Sequence, residues 1–194
     1  MICGRPFIAK WQVPRTCGNC FEQKIYFEKA RSCLVYRKDN PVSRLILSFK
    51  YGSRFSIGNI LGGVLAKYFI EYFGNEFIDI IIPVPLHFFR RFKRGYNQSE
   101  LLANTLSKHV GLPVFRNTLI RMVRTQPQQG SFSERSRNIK KVFKVIRPKK
   151  IIQKNILLID DVYTTGATVN ECAKTLRRNG CKKVFVLTLA RADH

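Results

Sequence analysis

Acidic residues are scarce in this chain of 194 residues, where 12 Asp and Glu stand against 35 Lys and Arg for a formal charge of +23. An excess of that size exceeds what solubility requires and points to anionic partners: a polyphosphate ligand, a nucleic acid or both. Long apolar runs are missing too. No stretch of 18 or more apolar residues occurs, and the first residues lack the charged, apolar and small-residue regions of a secretory signal. The expectation is a soluble, cytoplasmic protein with no membrane insertion. Two common phosphate cradles are also absent, namely the Gly-Lys-Ser/Thr ending of a P-loop and the glycine-rich dinucleotide fingerprint. Histidine is limited to His87, His109 and His194, and no strong general base is evident: His87, beside the Pro-Val-Pro turn, could serve as one or act in packing or capping, and the other two are incidental. With 45% hydrophobic residues, the chain can bury a core, and its length suggests one main domain with a small appendage.

The most informative stretch present runs from Ile156 to Thr168. Four apolar residues, Ile156-Leu157-Leu158-Ile159, read as a strand buried on both faces, as in a parallel sheet covered by helices. Asp160 and Asp161 follow at its carboxyl end, where open α/β sheets bind ligands. Thr164, Thr165, Gly166 and Thr168 then add hydroxyls and a backbone free to turn, and a helix from about Ala167 to Arg178 offers its N-terminal N–H groups and dipole. A phosphate dianion fits that pocket but would repel the two carboxylates. Their remaining work is to hydrogen-bond vicinal hydroxyls or to hold Mg2+ through water. Phosphate plus diol means a ribose 5-phosphate group. A helix cap accounts for one of the acids and leaves the second, with three threonines and a glycine, unexplained.

Four of the six cysteines, Cys3, Cys17, Cys20 and Cys33, lie near the N-terminus, and Cys172 and Cys181 near the C-terminus. Without a secretory signal, disulfides are the weaker reading. Cys17-Gly18-Asn19-Cys20 has the spacing of a zinc knuckle, and Cys3 followed by Gly4 reads as the end of a similar pair. Structural zinc wants four ligands, so either Cys33 completes the set or the chain starts inside a longer zinc ribbon. Cys172 and Cys181 are assigned to buried packing.

Residues 1 to 36 read as an irregular, zinc-ribbon-like segment, and residues 37 to 194 as the main domain. Helical spacing covers Ser43 to Lys50, Ser56 to Phe73 and Asn97 to His109. Strands are expected at Phe77 to Val84, near Pro113 to Phe115 and Val142 to Ile146, at the motif, and at Lys183 to Leu189. The alternation predicts a doubly wound parallel α/β sheet. Basic charge is concentrated from Arg116 to Lys154, twelve Lys and Arg against Glu134 alone, and in Arg90, Arg91, Lys93 and Arg94. With Phe88, Phe89, Phe92 and Tyr96 interleaved, the second cluster could track single-stranded DNA by charge and stacking.

The Asp-Asp-Val-x-Thr-Thr-Gly-x-Thr run resembles the phosphoribosyl-pyrophosphate motif of type I phosphoribosyltransferases. Together with Pro83-Val84-Pro85-Leu86-His87, Arg94-Gly95-Tyr96-Asn97-Gln98, Thr125 with Gln128, and Glu134-Arg135 with Asn138, it is similar to the ComF family of bacterial competence proteins, over nearly the whole chain. Family members typically carry a longer N-terminal zinc ribbon. The resemblance implies a type I phosphoribosyltransferase fold that binds phosphoribosyl pyrophosphate with Mg2+. Asp160 and Asp161 would hold the ribose hydroxyls, and Thr164, Thr165, Gly166, Ala167 and Thr168 the 5-phosphate. The turn at Pro85 and Leu86 corresponds to the pyrophosphate loop, with Arg94 and Arg135 neutralising charge on the leaving group. Arg121, Arg124, Gln128, Arg135 and Asn138 would close over the site, and a hood within residues 36 to 60 would select the acceptor. The implied reaction is substitution at ribose C1 by a nitrogen nucleophile. The implied role is in natural transformation, with single-stranded DNA and a helicase-like protein as partners, or a non-catalytic version of that role on the same fold.

Overall fold

The computed structural model describes residues 2–4, 17, 20–21, 24–37, 40–51, 55–86, 92, 95–122 and 142–192. Its centre is a four-stranded parallel sheet in the order β1-β6-β5-β2, built from β1 (Lys29–Tyr36), β2 (Ile80–Pro83), β5 (Asn155–Tyr163) and β6 (Lys183–Ala192). Val114 extends the edge by a single parallel bridge to Ile81. A separate antiparallel pair, β3 (Leu119–Arg121) and β4 (Phe143–Val145), lies beside it.

Successive side chains of a strand point to opposite faces, so a run buried throughout must feed two cores. In β5, Ile156 and Leu158 join one apolar cluster, whereas Leu157 and Ile159 join the other. The first cluster takes in α4 (Ala167–Arg178) through Val169, Cys172, Ala173 and Leu176, together with β3 and β4. On the opposite face lie α1 (Pro41–Tyr51), α2 (Phe55–Phe73) and α3 (Gln98–Val110), which supply Phe49, Leu65, Phe73, Leu102 and Leu106. The expected doubly wound parallel α/β architecture is the one observed. Among the described residues no helix is long and apolar enough to cross a membrane.

Strand β1 departs from the expectation of irregular structure up to residue 36. Lys29–Tyr36 pairs with β6 along its length, so this stretch belongs to the main sheet. Only Ala30 and Cys33 are fully buried along it, one in each core, and with the charges Lys29 and Arg31 it shows neither an apolar run nor a clean alternation, as befits an edge strand. The strand expected near Val142 to Ile146 is β4, whereas its partner β3 escapes, since a three-residue strand carries almost no periodicity.

Helix α3 shows how local chemistry sets a boundary that matters for the site. Asn97 caps it by accepting from the Ser99 N–H at 3.1 Å, and Gly111 ends it in the left-handed region at φ 72°. The same Asn97 donates its Nδ2 to the Val84 carbonyl at 3.1 Å, tying the helix start to the loop after β2.

Candidate functional site

At the carboxyl ends of β2, β5 and β6, the loop after β2, the start of α3 and the last turns of α1 enclose a crevice of about 380 Å3. Its walls include Lys50, Pro85, Leu86, Gln98, Ser99, Arg121, Asp160, Asp161, Thr164 and Thr168. Strand β5 continues through both acids to Tyr163, so the ladder to β6 fixes their backbone: Asp160 pairs with Thr188 and Val162 with Ala190.

Asp160 Oδ1 accepts from Ser99 Oγ at 3.0 Å and from the Asp161 N–H at 2.9 Å. Withdrawal from water, followed by the charge of adjacent Asp161, pushes its pKa from 3.8 up to about 7; the two hydrogen bonds and Lys50 pull the other way. Asp161 Oδ2 forms an ion pair with Lys50 Nζ at 3.0 Å, both side chains being largely buried. Lys50 stands in the last turn of α1, whose Phe49 and Lys50 carbonyls accept from Tyr96 Oη and from Gln98 Nε2 respectively. The end of α1 is thereby fastened over the crevice.

Beyond the acids, Gly166 turns in the left-handed region at φ 83° and caps α4. No L-residue fits comfortably, because a Cβ there would press on the buried Tyr163 hydroxyl and lie 2.6 Å from Cζ. Thr165 Oγ1 accepts from the Ala167 N–H at 3.3 Å. Thr164, Thr165, Ala167 and Thr168 are exposed, and no acidic residue stands in the first turn of α4. Hydroxyls, a helix dipole and N–H groups without intrahelical partners make this end of the crevice suited to a dianion, while the acids a few ångströms of chain away suit hydroxyls or a divalent cation.

The structure thus brings together Asp160, Asp161, Thr164, Thr168, Pro85 and Leu86. Pro85, Leu86 and Arg121 also border a second, smaller crevice of about 190 Å3 with Asn97, Glu100 and Asn117. Arg121, expected in a closing loop, is the last residue of β3 and stacks on Phe143 with 5.6 Å from Cζ to the ring centroid. Tyr96, grouped by sequence with aromatics for base stacking, instead packs edge-on against Phe49 at 6.2 Å. Phe92 is 85% exposed and remains open to solvent. His87, Arg90, Arg91, Lys93, Arg94, Arg124, Gln128, Arg135 and Asn138 lie outside the described residues, as do Phe88 and Phe89. Sequence reasoning missed Lys50 and Ser99. Ser99 follows a patterned run and Lys50 ends an expected helix, but only the tertiary fold carries them to the two acids.

A second cluster lies at the N-terminus. The sulfurs of Cys3, Cys17 and Cys20 all fall within 4.8 Å of one another, with Cys3 and Cys17 3.3 Å apart. Burial and the neighbouring thiols push Cys20 up to about 12; burial acts in the same sense on Cys17, but hydrogen bonds to Cys20 and Cys3 and the charge of Arg191 bring it below its ordinary value. Thiolate sulfurs around one tetrahedral zinc sit about 3.8 Å apart, so three such donors fit that ion. Cys33 does not join them. It packs in the other core with Phe73 and Leu187, and burial raises it to about 12. The alternative in which Cys33 completes the set is therefore corrected: along β1 it is committed to the face covered by α1, α2 and α3.

Residues 60–194 match the family described as Phosphoribosyl transferase domain. Competence protein F of Haemophilus influenzae is 35% identical over 181 residues, covering 91% of this chain and 78% of that protein. DNA utilization protein YhgH of Salmonella typhimurium is 33% identical, covering 97% and 82%, and Competence protein ComFC of Bacillus subtilis is 27% identical, covering 98% and 77%. Among solved structures, the glutamine phosphoribosylpyrophosphate amidotransferase of B. subtilis complexed with ADP and GMP superposes with a TM-score of 0.53 at 19% identity. It covers 74% of this chain but only 30% of that one, a likeness of fold.

Proposed function

Because the chain belongs to the ComF family of the type I phosphoribosyltransferase superfamily, we propose that its main crevice binds phosphoribosyl pyrophosphate with Mg2+ and transfers the phosphoribosyl group to a nitrogen nucleophile. One observation carries this reading: two acids held at the end of a parallel strand open directly onto the Thr164–Thr168 turn and the N-terminus of α4, in a single crevice. Asp160 and Asp161 accept hydrogen bonds from the ribose hydroxyls. Thr164, Thr165 and Thr168 donate to the 5-phosphate along with the backbone of Gly166 and Ala167. Pro85 and Leu86 border the pyrophosphate, and Arg94 and Arg135 supply charge to it as the bond from C1 to oxygen breaks and the acceptor nitrogen bonds to C1. Mg2+, held through the two acids and the ligand's own oxygens, would neutralise the pyrophosphate as it leaves. Tyr36, Leu47 and Lys50 line the crevice from the segment expected to act as a hood, and they face the acceptor.

The names of the relatives, together with the +23 charge, support a role in DNA uptake or use in the cytoplasm, with single-stranded DNA and a helicase-like protein as partners. Calorimetric titration of phosphoribosyl pyrophosphate with and without Mg2+ tests the first reading. Binding is expected to need Mg2+ and to vanish when Asp160→Asn and Asp161→Asn are combined, while affinity for single-stranded DNA stays unchanged in that variant. Absence of binding to the native chain removes the transferase reading. Equal loss of both ligands removes the separation of a sugar site from a DNA surface.

Zinc is the structural metal proposed for Cys3, Cys17 and Cys20. About one zinc per purified chain is expected from elemental analysis, and a content near zero overturns the assignment.

A further inference from the structure

Two separate connections run from the cysteine segment to the turn that holds phosphate. In the first, Arg191 Nη1 donates to the Cys3 carbonyl at 2.6 Å, and the same guanidinium lies over the Tyr163 ring, 4.3 Å from Cζ to the centroid. Tyr163 is 5% exposed and its hydroxyl end packs against Gly166, the left-handed pivot of the Thr164–Thr168 turn. In the second, the Asn170 side chain bridges the first turns of α4 to the stretch after Cys20. Its Oδ1 accepts from the Tyr26 N–H at 2.9 Å and its Nδ2 donates to the Lys24 carbonyl at 3.0 Å. Lys174, one turn on, lies over the Tyr26 ring at 5.7 Å. Both the turn and the helix that follows it are therefore braced against the cysteine segment rather than against the sheet alone.

We propose that the cysteine segment is a positioning element for the phosphate turn, so that order in the Cys3–Cys17–Cys20 cluster and occupation of the turn by a sugar phosphate are thermodynamically coupled. Tyr163, Arg191 and Asn170 are the positioning residues. The inference rests on the phosphate reading of Thr164–Thr168. Packed interiors transmit displacement because they are as dense as crystals, and a Gly166 already in contact with Tyr163 has little room to move independently of it. Coupling is reciprocal: a ligand that holds the turn in place holds the cysteine segment closed by the same factor, and release of that segment loosens the turn.

The three thiols are between 3% and 8% exposed, so they react with an alkylating reagent only when their segment opens. The test is the alkylation rate of each cysteine by iodoacetamide, mapped by peptide mass, with and without saturating ribose 5-phosphate. Binding of that probe is verified by calorimetry on the same sample. In the native chain the ligand is expected to slow Cys3, Cys17 and Cys20 about fivefold, toward the lower end of measured couplings. Cys33, in the opposite core, serves as the reference for global stabilisation by ligand and should be slowed less. Asn170→Ala should bind ribose 5-phosphate about fivefold more weakly and, once saturated, give less protection of the three thiols. Equal slowing of Cys33 and the cluster, or binding without protection, overturns the coupling and leaves the phosphate site standing. No binding of ribose 5-phosphate overturns the phosphate site itself, and the coupling with it. Protection in the native chain requires no substitution, so the result does not depend on whether a variant folds.

Discussion

Asp160→Asn is expected to make the protein more stable at pH 8 than the native chain, by an advantage that shrinks as the pH falls toward 4. The folded-state pKa of Asp160 is raised from 3.8 to about 7, first by burial and then by Asp161. Between those values the folded chain keeps a proton that the unfolded chain releases. Stability from this group is therefore full below about 4, falls as the pH rises, and is lost above about 7. Asparagine copies the neutral form and still accepts from Ser99 Oγ and the Asp161 N–H through its own Oδ1. At about 1.4 kcal/mol per pH unit, the advantage of the variant should grow by roughly 2–3 kcal/mol between pH 5 and pH 8. For a chain of this size that corresponds to a rise in Tm of about 4–12 °C. Urea unfolding of both proteins at several pH values checks it, and a difference that stays flat across that range would mean that Asp160 ionises normally. The variant that gains stability should lose ligand. On the proposed function, a carboxylate held against burial and a like charge is a cost that sugar hydroxyls or a divalent cation would relieve on binding.

The second large effect is expected from one methyl group. Gly166→Ala adds a Cβ at a left-handed φ of 83°, costing about 1 kcal/mol by itself, and drives it into the Tyr163 hydroxyl and ring edge. The ring cannot swing aside freely, because it is buried with the Arg191 guanidinium stacked on it. Overpacking of this kind adds roughly 1–3 kcal/mol, so a total loss of about 2–4 kcal/mol is expected in denaturant unfolding. On the proposed function, affinity for phosphoribosyl pyrophosphate should fall more than a hundredfold, since the N–H groups proposed to meet the phosphate move with the turn. In a Tyr163→Phe background the stability loss should shrink by about 1 kcal/mol, because the nearest clashing atom is gone. A cost for Gly166→Ala below about 0.5 kcal/mol would mean that the turn is free to relax away from Tyr163.

Much of this site is legible from Ile156 to Thr168 alone, since its signals are local. Buried parallel strands read as apolar runs, acids at a strand end and hydroxyls before a helix are consecutive in sequence, and glycine marks the turn. The expected helices at Ser43 to Lys50, Ser56 to Phe73 and Asn97 to His109 differ from α1, α2 and α3 by one or two residues at most ends, because caps and apolar spacing are local as well. Where partners are distant in sequence, the same reasoning had nothing to work on. Strand β1 carries Lys29 and Arg31 and is a strand only because β6 lies beside it.

The class of fold, the Thr164–Thr168 turn and the acidic pair were readable from local sequence, because each depends on residues within one strand, turn and helix. Tertiary structure decided the rest. It set the Lys50 ammonium on Asp161 across 111 positions and the Ser99 hydroxyl on Asp160 across 61. Cys33 went to the far side of the sheet, while Arg191 and Asn170 reached the cysteine segment across 188 and 144 positions. Hydrogen bonds and ion pairs reach only a few ångströms, and only the folded sheet and its helices bring residues so far apart in the chain within that reach.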